Sequence, residues 1–156
     1  FNMLGPMVNP LQPKSQLIGV FNSQIFRLYS HIYNKTDKNY CIVHGIDGYD
    51  EISLTGPFKL YSNNYDVILE AKDLKLNSVS PESLVGGKNI KDSASIFLNI
   101  LKNKSTKEQM DVVLANAGVA IYCAKKLHSI EDGILIAKDS IESGNAYKCF
   151  KTLMDI

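Results

Sequence analysis

Residues 16–45, QLIGVFNSQIFRLYSHIYNKTDKNYCIVHG, decide the fold. Gln16 to Phe21 is an apolar run of strand length. Asn22-Ser23 then offers a helix N-cap, and Ile25, Tyr29, Ile32 and Tyr33 recur on one helical face. Thr36 to Asn39 breaks that helix. Tyr40-Cys41-Ile42-Val43-His44 follows without polar alternation, the mark of a strand buried on both faces. Strand, helix and strand within about 30 residues make a βαβ unit with a right-handed crossover.

Upstream, Gly5-Pro6, Asn9-Pro10 and Pro13 punctuate residues 1–16 too often for a regular element. Downstream, Ile52 to Thr55 reads as another extended piece. Phe58–Ser62 and Tyr65–Ala71 flank Asn63-Asn64, and asparagine's tolerance of positive φ predicts a hairpin there. From about Asp92 the pattern turns helical: Ile90, Ala94, Phe97 and Leu101 step along one face. Lys102 to Lys107 is a polar link. Met110 to Leu127 is apolar almost all round and is read as a buried central helix, with Ala115, Ala117, Gly118 and Ala120 permitting close approach. Ser129 caps the next helix, Asp132 lies in its first turn, and Ile130, Ile134, Ala137 and Ile141 form its buried stripe. Gly144 ends it, and a short helix runs to Ile156. The expected fold is α/β: a mostly parallel mixed sheet with flanking helices and an all-helical C-terminal tail. Residues 1–71 form the strand-rich part of one domain and residues 90–156 its helical part.

Composition narrows the function classes. A length of 156 residues suits one domain, and 45% hydrophobic against 21% charged residues supports a packed core and excludes disorder. The formal net charge is +1, and Arg27 is the one arginine, which argues against a nucleic-acid partner and against bidentate phosphate recognition by arginine. The longest uncharged stretches, such as Val112 to Ala124, are 13 residues, whereas a membrane-spanning helix needs about 20. Cys41, Cys123 and Cys149 are odd in number and form no CxxC pair, so they read as small buried hydrophobes in a reducing cytoplasm rather than a disulfide or metal framework.

Ligands of open parallel sheets bind beyond the carboxyl ends of the strands. The strand ending at His44 runs into His44-Gly45-Ile46-Asp47-Gly48-Tyr49-Asp50-Glu51, two glycines and three carboxylates in one short segment. Asp50-Glu51 can supply hard oxygen ligands to Mg²⁺, which takes one or two carboxylates plus substrate phosphates and waters. The alternative is a solvated acidic turn, with Asp47-Gly48 merely rounding the corner. His44 reads as a structural residue or a base, and His31 and His128 as helix-surface residues. Val85-Gly86-Gly87-Lys88 lacks the spacing of a phosphate-binding loop and reads as a segment of close backbone packing. No GxGxxG occurs.

The segments Phe1-Asn2-Met3-Leu4-Gly5-Pro6-Met7-Val8-Asn9-Pro10 and Gln16-Leu17-Ile18-Gly19-Val20 resemble the F-N-x-L-G-P-L-x-N-P…Q-x-x-G-V stretch of anthranilate phosphoribosyltransferases. The likeness continues through Val43-His44-Gly45, Asp47-Gly48-Tyr49-Asp50-Glu51-Ile52-Ser53 and Thr55-Gly56-Pro57, and ends in Val113-Leu114-Ala115-Asn116-Ala117. Order and spacing agree across essentially the whole chain. The resemblance implies the large domain of a phosphorylase- or phosphoribosyltransferase-like fold. It implies transfer of phosphoribose from phosphoribosyl pyrophosphate to anthranilate in tryptophan biosynthesis, with Asp50 and Glu51 binding Mg²⁺. Gly5-Pro6 falls on the family's Gly-Pro beside the anthranilate path, a flat edge for an aromatic ring; the plainer reading is a rigid turn into the first strand.

Two departures stand out. Phe58 replaces the usual Thr after the second Gly-Pro and is expected to face packing. Asp92-Ser93-Ala94 replaces the family's E-N-A. The family's N-terminal helical domain, GTGGD loop, NxSTxxA helix start, KHGN segment and anthranilate-holding arginine precede the matched region. The chain is therefore expected to be the C-terminal part of a parent that dimerises through its helical domain, and to be inactive and aggregation-prone alone. Two other readings are a fold-sharing paralogue that binds nucleic acid and a pyrimidine nucleoside phosphorylase.

Overall fold

The computed structural model describes Gly5 and residues 7–155. Strand β1 (Ser15–Gly19), helix α1 (Ser23–Tyr33) and strand β2 (Asn39–Gly45) form the expected βαβ unit, and β1 pairs parallel to β2. Asn22 caps α1: its side-chain oxygen accepts from the N–H groups of Gln24 and Ile25. Strands β3 (Phe58–Ser62) and β4 (Asp66–Leu69) complete a four-stranded sheet in the order β1-β2-β3-β4. The sheet is mixed with an antiparallel corner, as the sequence predicts, but it is not mostly parallel: among the described residues β1–β2 is the one parallel pairing, against two antiparallel ones. That corner is wider than a hairpin alone, because β2 also meets β3 antiparallel.

Each face of β2 is buried, and its parity shows against what. Tyr40 and Ile42 pack with Ile18, Phe26, Tyr29 and Tyr33 under α1. Cys41 and Val43 pack on the other side against Leu114, Ala115 and Val119 of α3 (Lys107–Lys125). Helices on both faces are what make the strand read as a continuous apolar run. Across the α1 face Tyr33 meets Tyr40 at a tilt, with ring centroids 5.6 Å apart, and Tyr40 stacks on Tyr61 at 5.8 Å. Burial and the neighbouring Tyr61 push the Tyr40 phenol up to about 12.

Helix α4 (Ile130–Glu142) starts at its Ser129 cap and buries Ile130, Ile134, Ala137 and Ile141, the stripe expected from sequence. It crosses α3 closely. A Cβ on Gly118 would meet Ile134, and one on Gly133 would meet the Gly118 carbonyl. Gly144, with φ of 77°, ends α4 in the left-handed conformation and leads into α5 (Asn145–Met154). Ile156 lies outside the described residues.

Several expectations need correction, and one concerns a cysteine: Cys149 is exposed, whereas Cys41 and Cys123 are buried as expected. Residues 52–55 are extended in neither sheet nor strand; they run as an irregular, largely buried segment in which Leu54 takes a φ of 60°. The Asn63-Asn64 turn uses no positive φ. Its asparagines act through their side chains: Asn63 accepts from the Tyr40 N–H and Asn64 donates to the Tyr122 hydroxyl. Helix α2 (Ile90–Leu101) exists, capped by Asn89 with Asp92 returning the hydrogen bond. Yet its apolar face is not buried: Ile90 is 89% exposed, and Phe97 meets only part of a neighbour, edge-on to Phe150 of α5. His128 lies in the turn between α3 and α4 rather than on a helix.

The α3–α4 crossing generates a direct test. Gly133→Ala gains helix propensity of about 1 kcal/mol but drives a methyl into a backbone carbonyl. The protein is expected to lose about 1–3 kcal/mol of stability, seen as a melting temperature several degrees lower. An unchanged or higher melting temperature would show that the helices have room to part.

Candidate functional site

Beyond the carboxyl end of β2 the chain makes a tight loop over Gly45–Pro57. The Gly45 N–H donates to the Tyr49 carbonyl at 2.8 Å, and the Gly48 N–H donates to the Gly45 carbonyl at 3.0 Å. Gly48 takes a φ of 103°, open only to glycine at low cost, so Asp47-Gly48 does round the corner. The loop's two ends are joined where the Ile46 N–H donates to the Pro57 carbonyl at 2.9 Å.

The three carboxylates of this loop have different jobs. Asp47 accepts a hydrogen bond from the Thr55 hydroxyl, which also pairs with the Ser53 hydroxyl at 2.7 Å. Asp47, itself exposed, thus ties the turn after β2 to residues 53–55. Asp50 and Glu51 are exposed and adjacent. Their shared hydrogen bond raises the Glu51 carboxyl above its usual range, helped by partial burial and by the Asp50 charge. Two crowded carboxylates of this kind favour either a proton or a cation between them.

Two features outside the loop fix that pair. Gly19, at the end of β1, has no side chain where the Asp50 backbone carbonyl passes, and a Cβ there would collide with it. On the other side, the Asn116 side chain of α3 pairs with both backbone groups of Ile52: its oxygen accepts from the Ile52 N–H at 3.0 Å and its nitrogen donates to the Ile52 carbonyl at 2.8 Å. Neither role was read from the sequence, although Asn116 is the conspicuous amide in the uncharged run Val112 to Ala124.

The donor set suits Mg²⁺ in one specific way. Among the described residues no group of three or more His, Cys, Asp or Glu side chains could hold a metal ion by itself. Two hard carboxylates leave most of an octahedral shell to phosphate oxygens and water, which is the usual arrangement for this ion. The other candidates take structural places. His44 is buried, and its Nδ1–H donates to the Val20 carbonyl at 2.9 Å, tying β2 to the end of β1. Gly87 packs against the start of α2, where a Cβ would strike Asp92 and Ser93, so this loop is a site of close backbone packing. Phe58 is buried in the core, as its place in the sequence implied. Gly5 is an exposed turn residue, and Pro6 lies outside the described residues.

The sequence profile described as "Glycosyl transferase family, a/b domain" matches residues 1–147. The chain belongs to this family. Among relatives of this glycosyl transferase domain, an anthranilate phosphoribosyltransferase of Cytophaga hutchinsonii is 51% identical over 97% of the chain and 46% of its own length. The crystal structure of anthranilate phosphoribosyltransferase from Thermus thermophilus superposes with a TM-score of 0.86 at 25% identity, over 96% of this chain and 45% of that one. The Saccharomyces cerevisiae enzyme in complex with PRPP and Mg also gives 0.86, at 23% identity, over 97% and 44% of the two chains. The glycosyl transferase domain described here spans about half the length of the curated relatives it matches. Among the described residues no helix is long and apolar enough to cross a membrane.

The Gly19–Asp50 approach predicts the effect of one methyl group. Gly19→Ala should displace the Asp50 backbone and cost about 1–3 kcal/mol in urea unfolding. A variant as stable as wild type would mean that the loop yields without strain.

Proposed function

We propose that this chain is the C-terminal part of the α/β domain of an anthranilate phosphoribosyltransferase. The complete protein would transfer phosphoribose from phosphoribosyl pyrophosphate to the amino group of anthranilate and release pyrophosphate. The observation that carries the reading is the Asp50-Glu51 pair, exposed on a rigid loop beyond the strand ends, in a chain half identical to an enzyme of that name. The whole activity belongs to the complete protein, since this chain spans 46% of that relative's length. Gly5-Pro6 is assigned to the edge of the anthranilate path.

The chemistry asks little of protein nucleophiles, because the anthranilate amine attacks ribose C1 itself. What the reaction needs is a fixed place for the leaving group and compensation of its charge. Asp50 and Glu51 would hold a Mg²⁺ ion by their carboxylates, and that ion would neutralise the departing pyrophosphate. The loop's contribution is preorganisation: the Asp47–Thr55 hydrogen bond and the glycine turn brace the backbone that carries the two carboxylates. Pairing of the parent through its helical domain and a cytoplasmic setting belong to the same reading.

Loss of anthranilate fluorescence, followed with the complete protein over a Mg²⁺ titration, tests the assignment. Asp50→Asn and Glu51→Gln are each expected to lower turnover by about 10²-fold or more while leaving the circular dichroism spectrum unchanged. Normal turnover in the double variant would remove the metal role from this pair.

A further inference from the structure

Residues 52–54 leave the sheet yet stay buried, with Ile52 at 0% exposure. Buried backbone groups without a strand partner must be paired some other way. For Ile52 the partner is a side chain 64 positions away: Asn116 offers its oxygen to the N–H and its nitrogen to the carbonyl, as a neighbouring strand would. The second N–H of the same amide donates to the Val112 carbonyl at 2.9 Å, so the amide cannot rotate without losing a bond to its own helix. Ile52 is the residue next to Glu51, and on the far side the Asp50 carbonyl is seated against Gly19. The two carboxylates therefore sit on a span held at both ends, with the rigid helix α3 as one anchor.

We propose that Asn116 is a positioning residue for the divalent cation: by holding both backbone groups of Ile52 it fixes where the Asp50 and Glu51 carboxylates stand. The proposal rests on the reading of that pair as the Mg²⁺ ligands. It assigns to the amide a task beyond stability, since a residue that orients ligands alters metal affinity even when the fold survives, typically 10- to 100-fold.

The test is a Mn²⁺ titration of the complete protein, following the electron paramagnetic resonance signal of free Mn²⁺ well below every variant's melting temperature. Asn116→Asp is nearly isosteric, keeps the acceptor for the Ile52 N–H and turns an oxygen towards the Ile52 carbonyl. It also adds negative charge near the pair, which by simple attraction would tighten cation binding. We expect weaker binding instead, with the dissociation constant raised about tenfold or more. Asn116→Ala should weaken it similarly, and Asn116→Asp carries the test if the alanine variant fails to fold. Ile141→Val, a core truncation on α4 outside the loop's own segment, lowers stability and should leave the constant unchanged. Wild-type affinity in Asn116→Asp, or equal weakening in Ile141→Val, overturns the positioning role. If Asp50→Asn with Glu51→Gln binds Mn²⁺ as wild type does, the metal reading of the carboxylate pair falls instead.

Discussion

A buried stretch of backbone that belongs to no sheet must find partners for its N–H and C=O groups, and here that constraint organises everything around the loop. Ile52 satisfies both groups on the Asn116 amide, and Leu54 offers its carbonyl to the Val79 N–H at 3.0 Å. Each unpaired group would cost about 1–3 kcal/mol, a sizeable fraction of the stability of a domain this size. Helix α3 must therefore run beneath the loop at a fixed depth and rotation. That in turn places Gly118 against α4, where only a glycine-to-glycine approach lets the helices close.

The sheet supplies the other fixed body. With β2 buried on both faces, its carboxyl end is anchored by α1 on one side and α3 on the other. His44 joins this framework by bonding to the Val20 carbonyl, which holds the end of β1 beside the loop it must accommodate. Gly19 then lets Asp50 pass. The carboxylate pair is exposed, while the backbone on either side of it is held by Asn116 and seated against Gly19: exposure serves ligand access and burial serves geometry.

Much of this architecture is legible in the residues. Asn22 and Ser129 are caps by residue type and position, the α4 stripe follows from spacing four, three and four, and the unbroken apolar run of β2 announces helices on both faces. These features are local. The Asn116–Ile52 pairing spans 64 residues, and periodicity carries no information over that distance. The same reason hides the turn chemistry of Asn63 and Asn64, whose side chains reach β2 and Tyr122 instead of setting a backbone angle. The apolar stripe of α2 is plain as a pattern, but a pattern does not say what covers it, and among the described residues little does. Asp50 and Glu51 were visible as a pair from the start; which of the loop's three carboxylates is tied up internally was not, because the Asp47–Thr55 bond depends on how the loop closes.

The most direct test of the central claim is a crystal structure of the complete protein with Mn²⁺ and phosphoribosyl pyrophosphate, read by anomalous scattering. An anomalous peak is expected within coordination distance of the Asp50 or Glu51 carboxylate, about 2.0–2.3 Å, with both Asn116–Ile52 hydrogen bonds in place. A metal bound with neither carboxylate in its shell, or a loop that releases Asn116 to reach the ion, would contradict it.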